Sequence, residues 1–205
     1  MQTTAMRAKV RRRRTHTWLD WAGNRAVTYT PTELMIACAA HALEDGRTVA
    51  VGTGVPCAAA MLAQKTHAPN LVICFEAGGV APRLPTMPIS VGDSRTFHKA
   101  VMATSMAEVM QFCQRGMMDY TFLSGAQIDP YGNLNSTLIG GTYQKPKVRL
   151  PGSGGACDLA SFCWRTLIIM MRNGSVPQTP ARTGVFLTTG STSRAVSTTT
   201  WLASP

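Results

Sequence analysis

No run of apolar residues in this 205-residue chain approaches the ~18 that a membrane-spanning helix requires. Its six cysteines, at 38, 57, 74, 113, 157 and 163, form no C-x-x-C pair. His16, His41, His67 and His98 form no H-x-x-x-H pair. That scatter argues against a zinc site or a small disulfide scaffold, so no metal is expected and the thiols read as reduced core residues of a cytosolic protein. Ser153, in Pro-Gly-Ser-Gly-Gly, comes near G-x-S-x-G, but no pattern sets a His beside it, which argues against a Ser–His–acid hydrolase. Acids are scarce: ten against 20 Lys and Arg, for a net charge of +10. The imbalance is local. Residues 1–27 hold seven Lys/Arg against Asp20, residues 28–171 hold ten against nine acids, and residues 172–205 hold three Arg and no acid. The central part is near neutral, so no nucleic-acid face is expected on it.

Three regions follow from this division. Residues 1–27, with Arg11-Arg12-Arg13-Arg14 and no apolar period, lack the apolar core of a secretory signal and the Ser-rich amphipathic pattern of a transit peptide. They read as a basic, disordered extension, with Met6 or a later site as an alternative start; a nucleic-acid tail is the option charge alone leaves open. Residues 28–171 carry ordered patterning. Residues 172–205 read as a Ser/Thr-rich, weakly packed tail in which only Val185-Phe186-Leu187 looks strand-like.

Within 28–171, Thr30-Pro31-Thr32-Glu33 is a capping box with Pro at the first helical position, opening a helix through Leu43 that Gly46 can end. Thr48 to Val51 predicts a strand, Ala58 to Gln64 a helix, and Leu71 to Phe75 a buried strand. The spacing of Met102, Met106 and Met110 predicts a helix over 98–115 with those methionines in the core. Tyr120 to Leu123 and Thr166 to Met171 read as strands, residues 125–133 as a turn, and the stretch after Asp158 as a short helix. Alternating strands and helices predict an α/β fold: an open, mostly parallel sheet with helices on both faces.

The strand 71–75 runs straight into Glu76-Ala77-Gly78-Gly79. Ligands in such sheets bind beyond the carboxyl ends of the strands, which makes Glu76 a candidate catalytic acid and Gly78 a point of close approach. Taken alone, the feature favours a structural carboxylate that caps a helix or pairs with an Arg, since ion pairs also place acids at strand ends. Two glycine-rich turns could cradle an anion or oxyanion on backbone N–H groups: Gly52-Thr53-Gly54, and Gly152 to Ala156 with Gly154, Gly155 and Ala156 heading into a helix. The first fails as a dinucleotide fingerprint because Cys57 stands where a third Gly belongs.

The run Gly125-Ala126-Gln127-Ile128-Asp129-Pro130-Tyr131-Gly132-Asn133-Leu134-Asn135-Ser136-Thr137, with Gly154-Gly155-Ala156 downstream, resembles the β subunits of family I CoA-transferases of the glutaconate type. Val51 to Pro56, His67-Ala68-Pro69, Glu76-Ala77-Gly78 and Ser90-Val91-Gly92-Asp93 fall in the family's order, and the resemblance spans about 28–171. It departs at Phe75 and Ala77, where other residues are usual, and in the tail, which reads as a truncated or divergent carboxyl end. The resemblance implies that Glu76 is the nucleophile of a glutamyl-CoA thioester mechanism. It implies Gly52, Gly54, Gly78, Gly154, Gly155 and Ala156 as oxyanion or CoA contacts, and Gln127, Asp129, Asn133 and Asn135 as substrate-loop residues. It further implies a partner α subunit, an acyl-CoA and a carboxylic acid as substrates, and coenzyme A thioester as a substrate with no permanently bound cofactor. Glutaconate-like or 3-oxo acids are the implied acyl partners, with Arg83, Arg95 and Lys99 as cations for a second carboxylate. The rivals are an acyl-CoA hydrolase on the same scaffold and a non-catalytic truncated homologue. The expected location is the cytoplasm.

Overall fold

The computed structural model describes residues 16–18, 27–129, 133–170, 184–189 and 200–201. The Arg11–Arg14 run and most of the Ser/Thr-rich stretch lie outside these residues, as do Pro130, Tyr131 and Gly132 of the family-like loop. Strands β1 (His16–Trp18) and β2 (Val27–Tyr29) pair antiparallel ahead of helix α1 (Pro31–His41). The capping box forms as expected: Thr30 Oγ1 accepts from the Glu33 amide at 3.2 Å, and the Thr30 amide donates to Glu33 Oε2 at 2.6 Å. There follow β3 (Thr48–Val51), α2 (Val55–Thr66) and β4 (Val72–Phe75), which form a β-α-β unit with parallel strands.

Between residues 98 and 115 the structure differs from the expected single helix. β5 (Gly79–Val80) leads to a 3₁₀ turn over Ser94–Phe97, then β6 (Met102–Ala103), and only then α3 (Met106–Gln114). Lys99 takes φ of +50°, which no helix accommodates, and Ser105 with Glu108 builds a second capping box that starts the helix late. Met102 and Met106 are consequently 39% and 56% exposed, not core, and Met110 is half-buried.

β7 (Tyr120–Leu123) comes next, then two antiparallel hairpins: β8 (Gln127–Ile128) with β9 (Leu134–Asn135), and β10 (Leu138–Gly141) with β11 (Pro146–Arg149). The chain then forms α4 (Ala156–Phe162), β12 (Arg165–Met170), β13 (Gly184–Thr189) and β14 (Thr200–Trp201).

The main sheet has the order β14-β13-β12-β7-β3-β4-β5-β6. Its central four strands, β12, β7, β3 and β4, are parallel, and both flanks are antiparallel. The 184–189 stretch thus joins the sheet, pairing with all of β12.

Alternation along the strands divides two cores. Val49, Val51, Ile73, Phe75, Phe122 and Leu167 pack beneath α1 and α2, where Ala39, Ala40, Ala59, Ala60 and Ala63 let the helices lie close. Ala50 and Cys74 face the other way, against Cys113, Met118 and Cys163 of the α3–α4 side. Each large apolar side chain so buried contributes roughly 1.5–3 kcal/mol. Four of the six cysteines are buried and Cys38 is half-buried, but Cys157 is exposed, contrary to the expectation of core thiols throughout. Among the described residues no helix is long and apolar enough to cross a membrane.

Candidate functional site

Parallel strands leave their carboxyl ends on one edge of the sheet, and three of them converge on a cavity of about 250 Å³. β3 supplies Ala50 and Val51 and, just past its end, Gly52; β7 supplies Thr121, Phe122 and Leu123; Glu76 follows β4 directly. The remaining wall is Val109 of α3, the turn Ser153-Gly154-Gly155 and the opening of α4, Ala156 and Leu159.

Glu76 is half-buried. Its carboxylate faces Gly155: a Cβ added there would lie 3.1 Å from Glu76 Oε1 and 3.0 Å from the Met110 methyl. Among the described residues no cation pairs with this carboxylate and no group donates a hydrogen bond to it. The Ala156 amide donates to the Ser153 carbonyl at 3.0 Å, whereas the Gly154 and Gly155 amides have no acceptor among the described residues. A lone carboxylate and two residues whose N–H groups have no acceptor among the described residues therefore border the same largely apolar space. Cys74, two residues earlier, offers no competing thiolate at neutral pH, because burial pushes its thiol up to about 12.

The other sequence candidates divide. Gly52 lines the cavity; Gly54 does not, and with φ of +79° it caps α2, its carbonyl accepting from the Ala58 amide. Gly78 is buried, with φ of +114°, and its amide donates to the Phe75 carbonyl. What approaches it is not open space for a substrate but the protein's own backbone, since a Cβ at Gly78 would lie 1.9 Å from the Thr104 carbonyl oxygen.

Gln127, Asp129, Asn133 and Asn135 also lie outside the cavity lining. Asn135 Nδ2 donates to Gln127 Oε1 at 2.6 Å and to the Leu138 carbonyl at 2.7 Å, and Asp129 accepts from the Asn133 amide and side chain at 2.8 and 2.7 Å. These residues brace the β8–β9 hairpin. The two residues after the hairpin tie down the approach to the lining turn: the Gly152 amide donates to the Ser136 carbonyl at 2.8 Å, and the Leu150 amide to the Thr137 carbonyl at 3.0 Å.

Arg95 is committed to Asp93, to Thr86 Oγ1 at 3.2 Å and to the Met87 carbonyl at 3.0 Å. Arg83 and Lys99 are exposed and line no part of the cavity. Among the described residues no Lys, Arg or His is in the lining.

Sequence reasoning missed Thr121, whose Oγ1 is buried with no hydrogen-bond partner among the described residues. Its only signal was a hydroxyl in the middle of the apolar run Tyr120–Leu123. It also missed Val109, Leu159 and Met110, whose roles depend on where α3 and α4 dock.

A family model described as coenzyme A transferase matches residues 32–176. The chain is 38% identical over 146 residues to the B subunit of 3-oxoadipate CoA-transferase from Pseudomonas knackmussii, covering 71% of this chain and 56% of that protein. It is 37% identical over 150 residues to the B subunit of glutaconate CoA-transferase from Acidaminococcus fermentans, covering 71% of this chain and 55% of that one. The chain thus spans about half the length of these curated relatives. The crystal structure of glutaconate coenzyme A-transferase from Acidaminococcus fermentans superposes with a TM-score of 0.64 at 36% identity, over 70% of this chain and 56% of that chain. A variant of the decarboxylase AibA/AibB superposes with a TM-score of 0.66 at 26% identity, over 77% and 73%.

Proposed function

We propose, for a chain that belongs to the coenzyme A transferase family, that it serves as the β-type subunit of an acyl-CoA:carboxylate CoA-transferase with Glu76 as nucleophile. The observation that carries this reading is the unpaired Glu76 carboxylate held against Gly155 at the cavity. A carboxylate oxygen of Glu76 attacks the thioester carbonyl carbon, the tetrahedral oxyanion is met by the Gly154 and Gly155 amides, and CoA thiolate leaves a mixed anhydride. The thiolate then attacks the glutamyl carbonyl, forming an enzyme–CoA thioester and expelling the donor acid. An acceptor carboxylate runs the same steps backward. The energy of the thioester is conserved in covalent intermediates, so coenzyme A is a substrate and no resident cofactor is called for. The apolar walls Val109 and Leu159 strip water from a carboxylate that is a weak nucleophile when hydrated.

Both curated relatives are named as B subunits, which supports an α-type partner completing the site. The cytoplasm, where acyl-CoA pools are drawn on, is the proposed location. The acid itself is proposed to be a short dicarboxylic or 3-oxo acid, after the relatives' names.

The test is to assemble the chain with its α-type partner, add an acyl-CoA, and map the CoA-bearing peptide by mass spectrometry. CoA is expected on Glu76, and Glu76→Gln is expected to reduce transfer at least ~1,000-fold. Full activity in Glu76→Gln would end the assignment. Because AibA/AibB is a decarboxylase, CO₂ release without CoA exchange is the outcome that would favour a second reading.

A further inference from the structure

We infer that the Thr121 hydroxyl is a substrate-contacting group of the Glu76 cavity, donating a hydrogen bond to a neutral oxygen on the acyl chain. The inference rests on the transferase reading for the identity of the ligand as an acyl group. Thr121 is 0% exposed, and its Oγ1 has no hydrogen-bond partner among the described residues. An unpaired buried hydroxyl costs about 1–3 kcal/mol, and folded proteins seldom carry one without cause.

Register fixes where the side chain points. Thr121 pairs with Ala50 across the parallel β3–β7 ladder, and its neighbours Tyr120 and Phe122 belong to the α1–α2 core. Thr121 therefore faces the α3–α4 side with Ala50, the side from which Val109 and Leu159 wall the cavity. Valine would fill that position with the same shape and no unpaired group. Nothing within the described protein uses the hydroxyl, so its use lies in what enters the cavity. Thr104 carries the other orphaned hydroxyl among the described residues, but it is not in the cavity lining.

The cavity also restricts the ligand. At about 250 Å³ it accepts a short acyl group and leaves the bulk of coenzyme A outside. This chain's described lining holds no Lys, Arg or His, so the counter-charge for a second carboxylate would have to come from the partner subunit. A keto or hydroxyl oxygen needs only a donor. Thr121 supplies one.

The test uses the assembled enzyme with its partner subunit and the variants Thr121→Val and Thr121→Ser. Calorimetry compares binding of 2-, 3- and 4-oxopentanoate with binding of pentanoate. Thr121→Val is expected to weaken at least one oxo acid about tenfold, to leave pentanoate unchanged, and to melt no lower than the wild type; Thr121→Ser should keep the oxo preference. Equal weakening of all four acids, no weakening of any, or a lowered melting temperature in Thr121→Val would overturn the assignment, marking the hydroxyl as structural or water-bound. Binding is read without catalysis, so the two readings separate. Oxo discrimination without a glutamyl-CoA thioester sinks the transferase reading alone, and a thioester without discrimination sinks Thr121 alone.

Discussion

Two glycines near Glu76 are needed for different reasons, and substitution should separate them. At Gly78 an added Cβ would meet the Thr104 backbone carbonyl at 1.9 Å, in a left-handed conformation that L side chains avoid. Backbone cannot step aside as a side chain can, so Gly78→Ala should cost about 3 kcal/mol or more and leave little folded protein. At Gly155 the conflict is with two flexible ends, the Met110 methyl at 3.0 Å and Glu76 Oε1 at 3.1 Å, and the backbone φ of −77° suits alanine. Gly155→Ala should therefore melt within ~2 °C of the parent yet lose at least ~10-fold in transfer, because what yields is the carboxylate proposed as nucleophile. Melting curves and initial rates measured on both variants check this. An active Gly155→Ala would mean that the carboxylate works from another position.

The 3₁₀ turn over Ser94–Phe97 illustrates how an element removed from the chemistry holds it in place. Asp93 caps it, accepting from the Arg95 amide at 2.9 Å, the Arg95 Nε at 3.0 Å and the Ile89 amide at 3.2 Å. The turn's Thr96 carbonyl packs on Gly79, three residues past Glu76; a Cβ there would meet it at 2.0 Å. Hydrogen bonds from the Arg95 side chain, then its amide, hold the Asp93 carboxyl well below the usual carboxylate range. With the folded value depressed, Asp93 stabilises the fold above the ordinary carboxylate pKa of ~3.9, and that contribution is lost as pH falls toward and through the folded value. Asp93→Asn should thus melt lower than the parent at pH 7, with the gap closing below about pH 4. A gap constant from pH 7 to pH 3 would refute the role.

Elements of this kind also mark what could be read in advance. Thr30-Pro31-Thr32-Glu33 was legible because a capping box is local and its partners lie three residues apart. Ser105 and Glu108 form the same motif, but the methionine spacing through 102, 106 and 110 masked it. The position of Glu76 at the end of a strand was legible from the apolar run before it. Gln127, Asp129, Asn133 and Asn135 look like substrate ligands in sequence, yet they hydrogen-bond one another, a fact that only the folded hairpin contains. Thr121 is the converse, since its meaning lies in the absence of a neighbour.

At the scale of the whole molecule, the parallel centre needs both of its antiparallel flanks. β12 pairs along its full length with β13, from Arg165↔Thr189 to Met170↔Gly184. Ending the chain after residue 171 would leave an apolar strand with Leu167, Ile168 and Ile169 on an open edge. Such a chain should move to higher-order species in size-exclusion chromatography and melt lower than the full one; a monodisperse product with unchanged melting would show that β13 contributes little. The strand order also sets a timetable for synthesis. On the ribosome, β3 and β4 emerge with Glu76 already at their rim, but the sheet cannot be widened through β7 and β12 until much later sequence arrives. Gly154 and Gly155 follow Glu76 by about 80 residues, several seconds at roughly 5–20 residues per second. A nascent chain thus carries this carboxylate uncovered throughout the interval between residues 76 and 155, and its cavity can close only once the second glycine turn has arrived.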